Sequence, residues 1–199
     1  MKKHFLDLFS GLGGASEAFI QDTDDWTVLR IDNNPLLANV PNTMMDDIKS
    51  LSRRINGSEH TIDVVWASPP CREFSTAYNA PRSVAARGGI PYEPDMSLLH
   101  AAVDIIKTVK PRYWIIENVV GSIRYFAEEL GEPRQIIGPY VLWGNFPTFS
   151  VDESKLESKK SKDKHSANPL RSNYKAKVDF EISQALKYAI ENQKSIFQF

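Results

Sequence analysis

A chain of 199 residues, 42% hydrophobic and 25% charged, has ordinary globular composition, which excludes a disordered, collagenous or disulfide-scaffold protein and suits one domain. Twenty-four Lys and Arg against 25 Asp and Glu leave a net charge of −1, so a uniformly basic nucleic-acid surface is excluded while a basic cleft is not. The single cysteine, Cys71, forbids an internal disulfide and a cysteine-rich zinc cluster, and no apolar run reaches the ~18 residues that a membrane span needs.

In chain order the sequence alternates short apolar runs with helical patterns, as open α/β sheets do. Residues 5–8 read as a first strand, stopped by Ser10-Gly11-Leu12-Gly13-Gly14, and 15–21 as the start of a helix. The charged start of the chain is no secretory leader, so a cytoplasmic address, in a bacterium or phage-infected cell, is expected. A second strand spans 27–31 and closes at Asp32-Asn33-Asn34-Pro35; a third spans 62–66 and closes at Ser68-Pro69-Pro70. Leu98, Leu99, Ala102, Val103, Ile105, Ile106 and Val109 recur at helical spacing before Lys110-Pro111. Strands are expected at 113–116 and 139–143, and a closing helix at 181–192. Two irregular stretches remain. Residues 72–94, with three prolines and two glycines, have the length of a functional loop. Residues 151–169, rich in Lys and Ser, read as a solvated flexible loop or as a basic arm for phosphate.

Three constellations carry chemistry. Asp7-Leu8-Phe9-Ser10-Gly11-Leu12-Gly13-Gly14 sits where a strand gives way to a helix, so backbone can approach a ligand closely. No Lys-Ser/Thr follows, which disfavours a Walker-type phosphate cradle. Asp32 ends the second strand 18 residues past Gly14, close to the spacing at which an acid meets ribose hydroxyls. Asp47 before Ile48 is placed to meet an adenine amine, with Asp46 beside it as an equal alternative. The second constellation is Ser68-Pro69-Pro70-Cys71-Arg72-Glu73-Phe74-Ser75. Prolines fix the backbone ahead of the thiol, Arg72 favours a thiolate, and the carboxyl end of a strand is where such sheets bind ligands. The third is Ile116-Glu117-Asn118-Val119, where an acid leaves an apolar strand for a crevice that would raise its pKa.

In this order the three pieces resemble the DNA cytosine-5 methyltransferase family, over residues 5–121. The resemblance implies a class I S-adenosylmethionine-dependent, Rossmann-like α/β fold, with a central, mostly parallel sheet and helices on both faces. It implies S-adenosyl-L-methionine as cofactor and DNA as partner, with neither a metal nor a membrane involved. Phe9, Ser10, Gly11 and Gly13 would line the methionine end of the cofactor, with Asp7 and Leu12 in the same turn. Asp32 and Asn33 would take the ribose, Asp47 and Ile48 the adenine, and Pro69 and Leu98 would pack nearby. Cys71 would attack carbon 6 of cytosine, Glu117 would hold ring nitrogen 3, and Asn118 belongs to the same catalytic motif. Ser68, Pro70, Arg72, Ser75 and Val119 would surround the substrate, with Arg82 and Arg87 on the loop that closes over it.

The sequence also departs from that pattern. Only 151–169 is available where the family has a target-recognition domain, so specificity is expected to be low or confined to a short context. A Gln-any-Arg-any-Arg motif has no copy, since Ile136 and Gly138 stand at its arginine positions, and the closing helix lacks the family's Gly-Asn pair. These departures keep RNA, single-stranded DNA and a free pyrimidine nucleotide open as substrates. They also keep open an inactive module that relies on a second chain for recognition.

Overall fold

The computed structural model describes residues 1–56, 61–158, 161–162 and 167–193. Its centre is a seven-stranded sheet of β1 (Lys3–Leu8), β2 (Trp26–Asp32), β3 (Thr43–Met45), β4 (Val64–Ala67), β5 (Tyr113–Asn118), β6 (Gln135–Ile137) and β7 (Tyr140–Asn145), in the order β3-β2-β1-β4-β5-β7-β6. β1 to β5 pair in parallel, whereas β7 runs antiparallel to both β5 and β6. All four residues of β4 are fully buried, which explains a continuous apolar run in place of an alternating one.

Helices cover both faces. On one face, Phe5, Trp66, Ile115 and Leu142 pack with Phe19 of α1 (Glu17–Ile20) and with Ile182 and Leu186 of α7 (Phe180–Glu191). On the other, Leu8, Val65, Ile116 and Trp143 pack with Leu99, Ala102 and Ile105 of α4 (Ser97–Val109) and Phe126 of α5 (Ile123–Leu130). α4 stops where Lys110, at φ +47°, turns left-handed ahead of Pro111, and its amide still reaches the Ile106 carbonyl.

The expected strands and the two long helices form, with ends shifted by a few residues. Several elements were not anticipated. β3 and β6 have three residues each, too few to display a period, and α2 (Ile48–Arg54) buries only Ile48. α3 (Pro81–Arg87) lies inside the stretch expected to be irregular, with Pro81 opening the helix and Gly88 ending it. α5 carried a readable signal in Ile123, Phe126 and Leu130 followed by Gly131.

The chain moves outward from β1 to β2 and β3, then crosses back to lay β4 and β5 on the other side of β1. The strand order therefore reverses between β1 and β4, and the carboxyl ends of these two strands open a crevice.

Candidate active site

At the end of β1, Phe9 (φ +56°), Gly11 (φ +52°) and Gly13 (φ +73°) all turn left-handed. For a bulky residue such as Phe9 that conformation costs on the order of 1–3 kcal/mol, and strain of this kind clusters at ligand sites. Gly13 suits that left-handed backbone without strain, and a Cβ there would press on the Arg30 guanidinium at 2.2 Å. Arg30 is buried beneath the turn, donating from Nη2 to the Gly13 carbonyl at 2.8 Å and from Nε to Ser16 Oγ at 2.9 Å. Ser16 in turn donates to Asp7 Oδ2 at 2.6 Å. Burial pushes Asp7 up to about 6, against the opposing pull of Ser16 and Arg30.

The second strand adds Asp32, whose carboxylate accepts the Gly11 and Asn34 amides, both at 2.9 Å. The structure separates Asp46 from Asp47. Asp46 pairs outward with Arg54 at 2.5 Å, while Asp47 caps α2 by accepting the Ser50 amide at 2.9 Å. That backbone bond lowers the Asp47 pKa.

β4 and β5 lead into the thiol and the carboxylate. Ser68 accepts Trp66 Nε1–H at 2.7 Å, and Cys71 follows the two prolines to open a half-buried turn, Cys71–Glu73. Glu117, near the end of β5, pairs with Leu142 of β7, so Tyr140 emerges on the same sheet face as Glu117. Asn118 is 1% exposed and ties the two strand ends together, donating to the Pro69 carbonyl and accepting the Val119 amide, each at 2.9 Å.

A cavity of about 780 Å³ joins these elements. Its wall includes Asp7, Phe9, Ser10, Gly11, Asp32 and Asn33 from the first two strand ends, together with Asp47, Ile48, Pro69 and Leu98. Ser68, Pro70, Cys71, Arg72, Ser75, Glu117 and Val119 line the same space. Five sequence-predicted residues stand outside the wall. Gly13 is covered by Arg30, Asn118 is spent on Pro69, and Leu12 points elsewhere in the turn. Arg82 is turned toward α5, donating to the Gly121 carbonyl at 3.3 Å, and Arg87 donates to the Tyr78 carbonyl at 2.7 Å. As placed, neither arginine reaches the cavity.

Sequence reasoning missed the carboxyl-terminal side of the wall. Tyr140, Lys162, Asn173, Lys175, Lys177 and Val178 all line the cavity, several of them from α6 (Arg171–Ala176) and the segment after it. Lys162 is not on a solvated arm. Its side chain is 7% exposed and its ammonium meets Asp179 Oδ1 at 2.7 Å, Tyr140 Oη at 3.1 Å and the Lys177 carbonyl at 2.7 Å. Tyr140 donates to Asp179 Oδ2 at 2.7 Å, and burial together with that bond pushes its pKa far up. Lys159, Lys160 and Lys164 lie outside the described residues, whereas Lys155 is exposed. The segment also presses on the Gly-rich turn, because a Cβ on Gly14 would lie 2.2 Å from the Val178 carbonyl oxygen. Nothing local in the sequence marks these contacts, since Lys162 lies 22 residues from Tyr140 and 17 from Asp179.

The cavity wall beside the Gly-rich turn is left ready for a polar ligand, as an S-adenosylmethionine site would be. Ser10 Oγ is buried in the cavity wall without a hydrogen-bond partner, and a Cβ on Gly11 would meet only Asn173 Nδ2, at 3.7 Å. A buried hydroxyl left unsatisfied beside open backbone is what a polar ligand would complete. Among the described residues no cluster of His, Cys, Asp and Glu could hold a metal ion, and no helix is long and apolar enough to cross a membrane.

The parallel sheet with its antiparallel β7, and a crevice holding a Gly-rich turn, a thiol and a carboxylate, define a class I methyltransferase fold. Residues 3–125 match the family model of C-5 cytosine-specific DNA methylases, and the chain belongs to that family. It is 34% identical over 121 residues to the Frog virus 3 (isolate Goorha) protein named "Probable DNA (cytosine-5)-methyltransferase", covering 57% of this chain and 52% of that one. It is 30% identical over 146 residues to the type II methyltransferase M1.HphI of Haemophilus parahaemolyticus, covering 67% of this chain and 36% of that one. The chain thus spans about half the length of the first relative and about a third of the second. Among solved structures it resembles the Entamoeba histolytica methyltransferase EhMeth, with 16% identity, a TM-score of 0.46, and coverage of 83% of this chain and 66% of that one.

Proposed function

We propose that this chain transfers a methyl group from S-adenosylmethionine to carbon 5 of cytosine in DNA through a covalent adduct with Cys71. The observation that carries the reading is the shared cavity, in which Cys71 and Glu117 line the same space as Ser10, Gly11, Asp32 and Asp47. Ser10 and the Gly11 backbone would hold the methionine end of the cofactor, Asp32 the ribose, and Asp47 with Ile48 the adenine. When bound, the cofactor supplies an electrophilic methyl group.

Carbon 5 of cytosine is too weak a nucleophile on its own, so the chain's residues must activate the ring. The Cys71 thiolate forms a bond to carbon 6, and the electron pair of the 5,6 double bond moves toward carbon 5 and the conjugated nitrogen 3. Glu117 holds the proton that nitrogen 3 needs, stabilising the charge as it develops. Asn118 fixes the Pro69 carbonyl and with it the backbone leading to Cys71. Once carbon 5 carries the methyl group, Glu117 takes back the nitrogen 3 proton, the carbon 5 proton passes to water, and its electron pair re-forms the 5,6 double bond as the sulfur–carbon bond breaks, returning the thiolate and restoring the aromatic ring. In a duplex the base must first leave the stack. The shortness of residues 151–169, where the family has a recognition domain, is in keeping with short-context specificity and with a second chain or further segment as the source of any longer recognition.

Incubation with labelled S-adenosylmethionine and DNA should label cytosine. Cys71→Ser should reduce the label to background while leaving S-adenosylhomocysteine binding within about twofold of the parent. Undiminished labelling in that variant would sink the covalent mechanism. Parallel incubations with single-stranded DNA, transfer RNA and dCMP assign the substrate, and a 5-fluorocytosine oligonucleotide should trap an adduct at Cys71.

A further inference from the structure

The segment after Cys71 carries a feature that the proposed chemistry does not use. Tyr78 is 74% exposed. A single exposed aromatic is common on protein surfaces, but three observations set this one apart. The first is position: its neighbours Ala77 and Asn79 both line the cavity that contains Cys71, so Tyr78 belongs to the segment that borders the cavity. The second is support. The Arg87 guanidinium lies 3.8 Å from the ring centroid, and its Nη1 donates to the Tyr78 carbonyl at 2.7 Å. The surrounding chain is braced as well, by the Ala77 amide on Ser75 Oγ at 3.1 Å and by Tyr92 Oη on Glu73 at 2.5 Å. A ring already held in place loses little freedom when a ligand covers it. The third is charge: Arg87 backs the ring, and Arg72 stands exposed in the cavity wall beside Cys71. A flat ring backed by a guanidinium group complements a base and its phosphate.

We propose that the Tyr78 ring, backed by Arg87, is the stacking platform for the base that flanks the target cytosine in single-stranded DNA. The inference rests on the cavity being the cytosine pocket. A stacking platform needs a base face that no neighbouring base covers, which a single strand offers at once and a duplex only after the target cytosine has left the stack.

The test is equilibrium binding of a labelled 12-nucleotide single strand holding one cytosine, in the presence of S-adenosylhomocysteine, so that no turnover is needed. Tyr78→Ala should weaken binding about tenfold, while Tyr78→Phe and Tyr78→Trp stay within about twofold of the parent. An abasic site beside the cytosine should weaken the parent by the same factor and add nothing to Tyr78→Ala. A 2-aminopurine in that position should lose emission on binding the parent but not Tyr78→Ala. Unchanged affinity in Tyr78→Ala, or indifference to the abasic site, overturns the proposal. So does a loss of affinity accompanied by a lowered melting temperature or weakened S-adenosylhomocysteine binding, which would mark a structural role. Tighter binding to the matching duplex, or equal Tyr78-dependent binding to the matching RNA, overturns the choice of single-stranded DNA. Absent methyl transfer with intact Tyr78-dependent binding would remove the reaction and leave the platform, and the reverse pattern would do the opposite.

Discussion

The Gly-rich turn after β1 and the carboxyl-terminal segment that closes on it meet where Gly14 lies beneath the Val178 carbonyl, yet different forces hold them. The turn rests on a short-range network in which Asp7, Ser16 and Arg30 share one buried site within 24 residues of chain. Its acid is only partly compensated, because burial outweighs the hydrogen bond and the cation and leaves Asp7 near pH 6. The closing segment rests on a long-range cluster in which the Lys162 ammonium has three oxygen partners and the Asp179 carboxylate uses both oxygens. A fully satisfied buried cluster tolerates no missing member, whereas a partly compensated acid tunes stability with pH. One side of the cavity is thus built to respond, and the other to hold.

The largest effect should come from breaking the cluster. Lys162→Met leaves Asp179 charged and buried without its cation, and should cost about 3–5 kcal/mol in urea unfolding. Adding Asp179→Leu should restore part of that loss. A single-variant cost below about 1 kcal/mol would show that the cluster does not hold this side of the cavity.

The turn should show its character in pH dependence. The Asp7 pKa is raised from 3.8 to about 6 in the folded state, so between these values the unfolded chain binds fewer protons than the folded one. Stability attributable to this group is therefore greatest below about pH 4 and declines as pH rises through 6, by about 3 kcal/mol in all. The difference in unfolding free energy between the parent and Asp7→Asn should vary over that window and be flat above about pH 7. A difference independent of pH would remove Asp7 from the account.

The smallest effect sharpens the contrast. Asp46 and Arg54 also form an ion pair, at 2.5 Å, but the Arg54 side chain is 60% exposed. Arg54→Ala should change stability by less than about 1 kcal/mol, because water screens an exposed pair that burial would make costly to break. A loss comparable to that of Lys162→Met would mean that burial is not what separates the two pairs.

The legible part of this protein is the part whose meaning is local. A strand, a glycine turn and a helix start within twenty residues announce a ligand crevice, and a thiol or acid at the next strand ends falls into it because parallel strands present their carboxyl ends together. Asp47 and Asp46 show the limit of that logic. Adjacent carboxylates are indistinguishable in sequence, and only the cap on α2 and the pull of Arg54 turn one inward and the other out. Arg82 and Arg87 show another. Arginines on a loop beside a reactive cysteine read as substrate contacts, but α3 forms there and directs them to the Gly121 and Tyr78 carbonyls. The lysine-rich stretch was misleading for the opposite reason, since a polar composition gives no hint that one of its lysines will be buried against partners far away in the chain.

What the sequence determined by itself was the five longer strands, the Gly-rich turn and the placing of Cys71 and Glu117 at or just past two strand ends, because each depends on a few neighbouring residues and on the period of the strand or helix that carries them. What the tertiary structure alone decided was the other wall: Tyr140, Lys162 and Asn173 around the same cavity, with Asp179 pairing two of them from behind, and Tyr78 in the segment that borders it. Those positions follow from burial and charge pairing across long stretches of chain. Burial is a property of the assembled fold, which no local pattern of residues records.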